Sequence, residues 1–288
     1  MRNKLTDELA VCGLNAIRAL SEVHPEKINR LFLREDRLPL FSGLCKGLAE
    51  RKRPYKLCED EELEKICKTS HHQGIVAMIY EPVVEAAAPE DIDRWAAEGK
   101  TGLLLCDVGN DLNLGAIVRA AAFFDASPVI LACSSSLAEQ NSAEDENEAR
   151  HLGVERLDVE SLGVRRLSTA AYRVAEGGME YVEFRSIRSP RAFLRSASKK
   201  LFIIGTDPRA RIRIRDIPQL IDEQRKQKSP GGKRGIVLVV GNEETGLSKE
   251  IKEQCSILAR IPGSGVIESL NVAQAAALFL QELYEWSA

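Results

Sequence analysis

Three stretches of this sequence hold residues whose types and spacing could do chemistry. The first is VLVVGNEETGLS, in which Gly241 and Gly246 satisfy the Gly-x4-Gly part of a phosphate-binding loop. The next two residues are Leu247 and Ser248, where such a loop needs Lys and then Ser or Thr to hold phosphates and Mg2+. Glu243 and Glu244 would also repel phosphate, and no Gly-x-Gly-x-x-Gly follows any candidate strand. A nucleoside triphosphate or a dinucleotide is therefore a poor fit. The loop suits a ligand approached by backbone groups with a carboxylate nearby. The second stretch, IPGSGVIESLNVAQ, places Pro262, Gly263 and Gly265 in a loop that can close on a ligand, with Ser269 as a candidate N-cap for the helix that follows. The third, DLNLGAIVRAA, puts Asn113 at a helix start, Gly115 for close approach and Arg119 six residues after Asn113. Read alone, an arginine on a helix is most often a solvated surface charge.

The elements that must position these residues alternate between short apolar runs and amphipathic stretches. Residues 5–23 have Leu9, Leu14, Ile17 and Leu20 at helical spacing, and Ile28–Leu33 suits a strand. Helices are expected over 41–51 and 59–67, with strands at 55–57 and 75–80 and a turn at Gly74. This makes residues 1–82 a small α/β domain. Residues 83–100, with Pro82 just before and Pro89 inside a charged, alanine-rich stretch, read as a linker with one helical turn near Trp95. A second α/β domain spans 101–288. It is expected to hold strands at 103–106, 128–133, 181–184 and 201–205, helices at 114–124 and 188–200, and an extended Arg209–Arg215 segment. The acidic, polar run 134–166 reads as a surface insertion, and 222–234 as a flexible connection. Two further apolar runs end in the two Gly-rich loops. Strand, loop and helix in succession place ligands at the carboxyl ends of strands.

Composition narrows the field. With 44% hydrophobic and 29% charged residues, the chain has an ordinary globular balance, and its net charge of −3 argues against a strongly basic nucleic-acid binder. Positive charge is local: Arg51–Arg53, the acid-free cluster over 185–200, and Arg209–Arg215 are the candidate nucleic-acid contacts, with His71, His72 and Gln73 beside them. The seven cysteines form no Cys-x-x-Cys pair or His/Cys cluster, so reduced thiols in a cytoplasmic protein are expected and no metal is signalled. No apolar run approaches a membrane span.

Taken together, Asn113-Leu-Gly-Ala-Ile-Val-Arg119, Gly241-Asn-Glu-Glu-Thr-Gly246, and Ile261-Pro262 with Ser269-Leu-Asn-Val272 stand in the order and spacing of three motifs. They resemble those of the SpoU/TrmH family of SPOUT RNA ribose 2'-O-methyltransferases. VCGLNAIRALSEVHPEKINRLFL and HHQGIVA are similar to the L30e-like domain that precedes the catalytic domain in some members. The pairing looks most like the 23S rRNA guanosine 2'-O-methyltransferase subgroup. The resemblance implies an α/β-knot catalytic domain with a C-terminal trefoil knot, preceded by an L30e-like RNA substrate-binding domain. It implies S-adenosylmethionine as cofactor, contacted at Val240, Gly241, Ile261, Leu270 and Ala273. It implies catalytic or positioning roles for Asn113, Arg119, Glu243, Ser269 and Asn271, with Glu243 orienting Arg119. It implies an rRNA or tRNA substrate, rRNA being favoured, and a homodimer formed through the catalytic domain. Gly263, Glu268 and Gly109-Asn110-Asp111 depart from the family pattern and bear on substrate choice more than on the cofactor. The competing reading is an inactive RNA-binding or ribosome-assembly protein that keeps the fold.

Overall fold

A computed structural model describes residues 2–3, 8–132, 167–228 and 235–287. The acidic run 134–166 thus lies outside the described residues, as does 229–234 of the expected flexible connection. The described chain divides into two compact units, and each holds one sheet.

The first unit comprises 1–83, 110–123 and 167–182. Its five strands are β1 (Arg2–Asn3), β2 (Glu8–Cys12), β3 (Ile28–Leu33), β4 (Tyr55–Leu57) and β5 (Ile75–Tyr80), in the order β1-β2-β5-β3-β4. Pairing is antiparallel except between β3 and β4. Strand β5 is central, as its unbroken apolar run predicts. Strand β2 corrects the expected helix over 5–23. ELAVC has no alternation to mark a strand, and all five residues are buried because helices pack against it while β1 and β5 flank it. Gly13, at φ 103°, then turns the chain into α1 (Leu14–Val23). Ala10 and Cys12 of β2 and Val76 and Met78 of β5 meet Leu63 and Cys67 of α3 (Asp60–Cys67) in one apolar cluster. The helix α2 (Ser42–Glu50) follows a 3-10 turn over Glu35–Phe41. Two later helices belong to this unit, α5 (Asp111–Phe123) and α6 (Thr169–Ala175). Helix α6 packs against β2 as well as α5.

The second unit comprises 84–109, 124–166 and 183–288, within which the described residues form a seven-stranded parallel sheet. Its strands are β6 (Thr101–Leu105), β7 (Val129–Ala132), β8 (Phe184–Ile187), β9 (Phe202–Thr206), β10 (Ile212–Arg213), β11 (Ile236–Val240) and β12 (Ile257–Arg260). The order is β10-β12-β9-β11-β6-β7-β8. A parallel sheet buries both faces, which is why β6, β7 and β11 are runs of aliphatic residues without polar alternation. Leu104, Ile130, Ile203, Val237 and Val239 form one face. Residues of α4 (Pro89–Glu98), α7 (Pro190–Ala197) and α9 (Lys249–Lys252) cover it. Helix α4 is longer than the single turn expected, and Trp95 is buried in this core. The segment before it is also committed: Ala87 N donates to Ser186 O and Ser186 N to Glu85 O, both at 2.8 Å, which adds an edge to β8. Strand β8 itself begins three residues later than expected, after a 3-10 turn over Gly178–Glu180. Helix α8 (Ile217–Lys228) extends into the stretch expected to be a flexible connection. The chain closes with α10 (Val272–Ser287), packed on β11. No helix among the described residues is long and apolar enough to cross a membrane.

Candidate active site

Because all seven strands of the second sheet run the same way, their carboxyl ends share one edge. The Gly241 loop leaves β11 there, and the Ile261 loop leaves β12 two strands away, with β9 between them. Eight of the ten residues singled out in the sequence therefore belong to this unit: Val240, Gly241, Glu243, Ile261, Ser269, Leu270, Asn271 and Ala273.

The Gly241 loop is a backbone turn closed on itself. Asn242 N donates to Gly246 O at 3.2 Å and Gly246 N to Asn242 O at 3.0 Å. A Cβ on Gly241 would lie 2.4 Å from the carbonyl carbon of Gly246 and 2.7 Å from Leu247 N, so only glycine fits. Gly246 needs its own glycine for a different reason, a φ of +68° in open space. Asn242 organises the turn and was not singled out from sequence. Its Oδ1 accepts from Glu244 N at 2.9 Å and Thr245 N at 3.1 Å, and its Nδ2 donates to Asp107 O at 2.9 Å beyond β6. An asparagine directly after a strand and before turn residues is a legible signal for such a turn. Glu243 is exposed at its tip. Val240, by contrast, is buried, and its carbonyl accepts from Cys106 N at 2.8 Å.

The second loop runs from half-buried Ile261 through exposed residues 262–271. Leu270 is an apolar side chain left 49% exposed beside a helix start. The N-cap of α10 is Asn271 rather than Ser269. Asn271 Oδ1 accepts from Ala273 N at 2.9 Å and Gln274 N at 3.4 Å. The helix begins at Val272, which places Ser269 three residues outside it, exposed. Ala273 is buried in the first turn.

Between these loops, Asp207 follows β9 with its side chain 11% exposed. Its Oδ2 lies 2.8 Å from Lys252 Nζ, and its Oδ1 accepts from Arg209 N at 2.8 Å. Burial alone would raise its pKa. The Lys252 ammonium and the Arg209 N–H outweigh burial and hold the carboxyl below its ordinary value. Cys106 and Cys255 are pushed up to about 12, chiefly by burial, so they are inert thiols at neutral pH.

Asn113 and Arg119 lie in the first unit, on α5. This helix starts earlier than expected, because Asn110 caps it: its Oδ1 accepts from Leu112 N at 2.8 Å. Asn113 is thus in the first turn and half-buried, and Arg119 is exposed in the third. Gly115 does serve close approach, but to another helix. A Cβ there would lie 2.6 Å from Ala171 O and 2.8 Å from Val174 Cβ of α6.

Several basic residues proposed for RNA have structural partners. Arg185 lies within 3.1 Å of both Asp91 and Glu183, which also hold Arg94. Lys200 pairs with Asp93, and Arg209 reaches Glu268 of the second loop at 3.0 Å. Arg53 donates to Ile28 O and Asn29 Oδ1. His72 is buried with its Nδ1 accepting from Gly74 N, and Gln73 Oε1 accepts from Leu14 N. No group of three His, Cys, Asp or Glu that could hold a metal occurs among the described residues.

Could these loops hold S-adenosylmethionine? The glycine backbones at 246, 263 and 265 border open space, and exposed Leu270 and half-buried Ile261 offer apolar contact for a neutral purine. These features fit a cofactor gripped by backbone atoms, as does the carboxylate-bearing tip that disfavours phosphate.

Comparison with known proteins points the same way. Residues 147–281 match the model of the SpoU rRNA Methylase family, and residues 10–82 match that of RNA 2'-O ribose methyltransferase substrate binding. Asn113 and Arg119 fall between the two matched spans. The chain is 27% identical over 282 residues to the 23S rRNA (guanosine-2'-O-)-methyltransferase RlmB of Nitrosomonas europaea, covering 97% of this chain and 92% of that protein. An rRNA methyltransferase from Sinorhizobium meliloti has the same fold, with a TM-score of 0.68 at 21% identity over 98% of this chain and 88% of that one. An AdoMet-bound structure of an rRNA methyltransferase from that organism gives 0.65 at 21% identity, over 98% and 89%.

Proposed function

The chain belongs to the SpoU/TrmH family of SPOUT methyltransferases, and on that premise we propose that it methylates a ribose 2'-hydroxyl in structured RNA, using S-adenosylmethionine. Ribosomal RNA is the favoured substrate, because the near-full-length relative from Nitrosomonas is named for 23S rRNA. In this reading residues 1–82 bind substrate, 83–100 connect, and 101–288 carry the reaction in the cytoplasm. The observation that carries it is the pair of Gly-rich loops leaving one carboxyl edge of a parallel sheet, with open backbone and an exposed apolar side chain between strand and helix.

Val240, Gly241, Ile261, Leu270 and Ala273 would hold the cofactor. When bound, it supplies a methyl group activated on a sulfonium. The protein's task is then to place the ribose and manage the proton of a hydroxyl whose pKa lies far above 7. Arg119 fits this as an anchor for the RNA phosphate and a cation that stabilises developing alkoxide charge. A guanidinium stays protonated at neutral pH, so Arg119 does not act as a literal base. Glu243 would supply the carboxylate that orients Arg119, with Ser269 completing that network. Asn113 and Asn271 would position the ribose or the arginine.

Two structural features complete the proposal. A C-terminal trefoil knot is what membership of the family implies, and the sheet order, in which β9 separates the successive strands β11 and β12, is compatible with it. Such threading is otherwise rare. A homodimer through the catalytic domain is supported by apolar residues left exposed on α10, Leu278 and Tyr284.

Arg119→Ala tests the assigned chemistry. Methyl transfer to in vitro-transcribed 23S rRNA should fall by about 10²–10³-fold, the effect of removing one transition-state donor. Calorimetry should show S-adenosylmethionine bound as in the unaltered protein. Unchanged turnover would refute the role of Arg119, and no cofactor binding at millimolar concentration would refute the enzyme. Mapping 2'-O-methylation in cells with and without the gene identifies the nucleotide.

A further inference from the structure

Gly177 and Gly178 lie between two helices of the first unit, each facing a different one. A Cβ on Gly177 would lie 2.8 Å from Ala19 Cβ and 3.0 Å from Asn15 O, both on α1. A Cβ on Gly178 would lie 3.1 Å from Val118 O and 3.2 Å from the Cα of Arg119, both on α5. Bare backbone therefore fills the gap between α1 and the very turn of α5 that carries Arg119. Gly177 also has a φ of +95°, which a side chain would strain.

Polar contacts fix the same turn to the α1 side. Glu176 Oε2 accepts from Asn15 Nδ2 at 2.7 Å. Glu180 ends the turn with its side chain only 2% exposed, and its Oε2 lies 2.7 Å from His24 Nδ1 and 3.2 Å from Lys27 Nζ. A carboxylate so deeply buried needs such partners, and removing one of them leaves an uncompensated charge. His24 and Lys27 follow α1 in the segment that matches the substrate-binding model, whereas Arg119 lies outside it.

We propose that the Gly177–Glu180 turn makes the N-terminal domain part of the methyl-transfer apparatus, with Glu180 as a positioning residue that fixes Arg119 through α5. The inference rests on the catalytic role of Arg119 proposed above. Its consequence is that RNA held by the N-terminal domain meets Arg119 at a set register rather than on a free tether. Misplacement of about 1 Å at a reacting group can cost about 10²-fold, so a modest shift of α5 is enough to slow the reaction.

The test uses the full-length protein and in vitro-transcribed 23S rRNA. Glu180→Gln keeps the side chain's shape and its hydrogen bond to His24 but removes the charge facing Lys27. We expect kcat to fall about tenfold. The KM for RNA and the cofactor Kd should stay within about twofold, since only positioning is altered. Hydrogen exchange should rise over 114–123 and stay constant over 236–240. In an Arg119→Ala background, Glu180→Gln should lower kcat no further, because both changes act through one residue. Equal losses of kcat in both backgrounds, or unaltered kcat and exchange, would overturn the proposal. If Glu180→Gln does not fold, Lys27→Met carries the same test. Full turnover by Arg119→Ala would defeat the catalytic reading alone, and exchange over 114–123 would still decide the clamp.

Discussion

Replacing Gly241 by alanine adds one methyl group at the point where the loop after β11 folds back on itself. That methyl would sit 2.4 Å from the carbonyl carbon of Gly246 and 2.5 Å from its oxygen, where ordinary contact begins near 3.4 Å. Both sides of the clash are backbone, so no rotamer change relieves it, and the two arms of the turn must part by about 1 Å. Overpacking of this kind costs roughly 1–3 kcal/mol of stability. In a chain of this size that lowers the melting point by about 2–4 °C per kcal/mol. Parting the arms also breaks the paired bonds between Asn242 and Gly246. If the cofactor depends on one or two backbone contacts of this turn, each worth about 0.5–1.5 kcal/mol, its Kd should rise by about 2- to 150-fold. Two companion variants make the test specific. Gly263 borders open space without a left-handed φ, so Gly263→Ala should melt normally. Gly246→Ala meets no atom but must adopt a φ of +68°, a strain of about 1–2 kcal/mol, and should fall between the two. Calorimetric titration with S-adenosylmethionine and a thermal melt on each variant give the ranking. Gly241→Ala with unaltered melting and cofactor affinity would refute the assignment of this turn to the cofactor.

Asn242→Ala removes the acceptor for Glu244 N and Thr245 N and the donor to Asp107 O. It should weaken cofactor binding with little change in the fold, measured by the same titration. A variant that binds normally would show that the turn holds without its side chain. Asp207 predicts a pH dependence. Its folded pKa lies below the unfolded value of about 3.9, so its stabilisation is fully present above that value and lost as pH falls through the folded pKa. Melting curves of the unaltered protein and Asp207→Asn should differ most near neutral pH and converge in acid. A difference that stays constant with pH would exclude the Lys252 pair as its source.

Much of the candidate site's backbone was legible in the sequence because it rests on glycines and short apolar runs. Ile236–Val240 is a continuous β-branched and aliphatic run, and such a run is a buried parallel strand almost wherever it occurs. Gly241 and Gly246, five residues apart just after it, signalled a backbone turn, and the two acids between them ruled against phosphate. Glu8–Cys12 was not legible. Its five residues suit a helix, and only pairing with β5, some seventy residues away, makes them a strand. The cap of α10 was misplaced for a related reason. Ser269 and Asn271 are both good caps, and the choice falls to whichever residue lies where the helix leaves the loop. Gly115 and Gly178 show the limit most plainly. A glycine marks a place where the chain can turn or be closely approached, but whether a ligand or a helix approaches is set by long-range packing. Tertiary structure put α6 against Gly115, and it put the Gly177–Glu180 turn between α1 and the helix that carries Arg119. Local chemistry thus named the residues from the sequence. Which of them touch each other was decided only by the fold, because contacts between distant segments leave no local pattern in the chain.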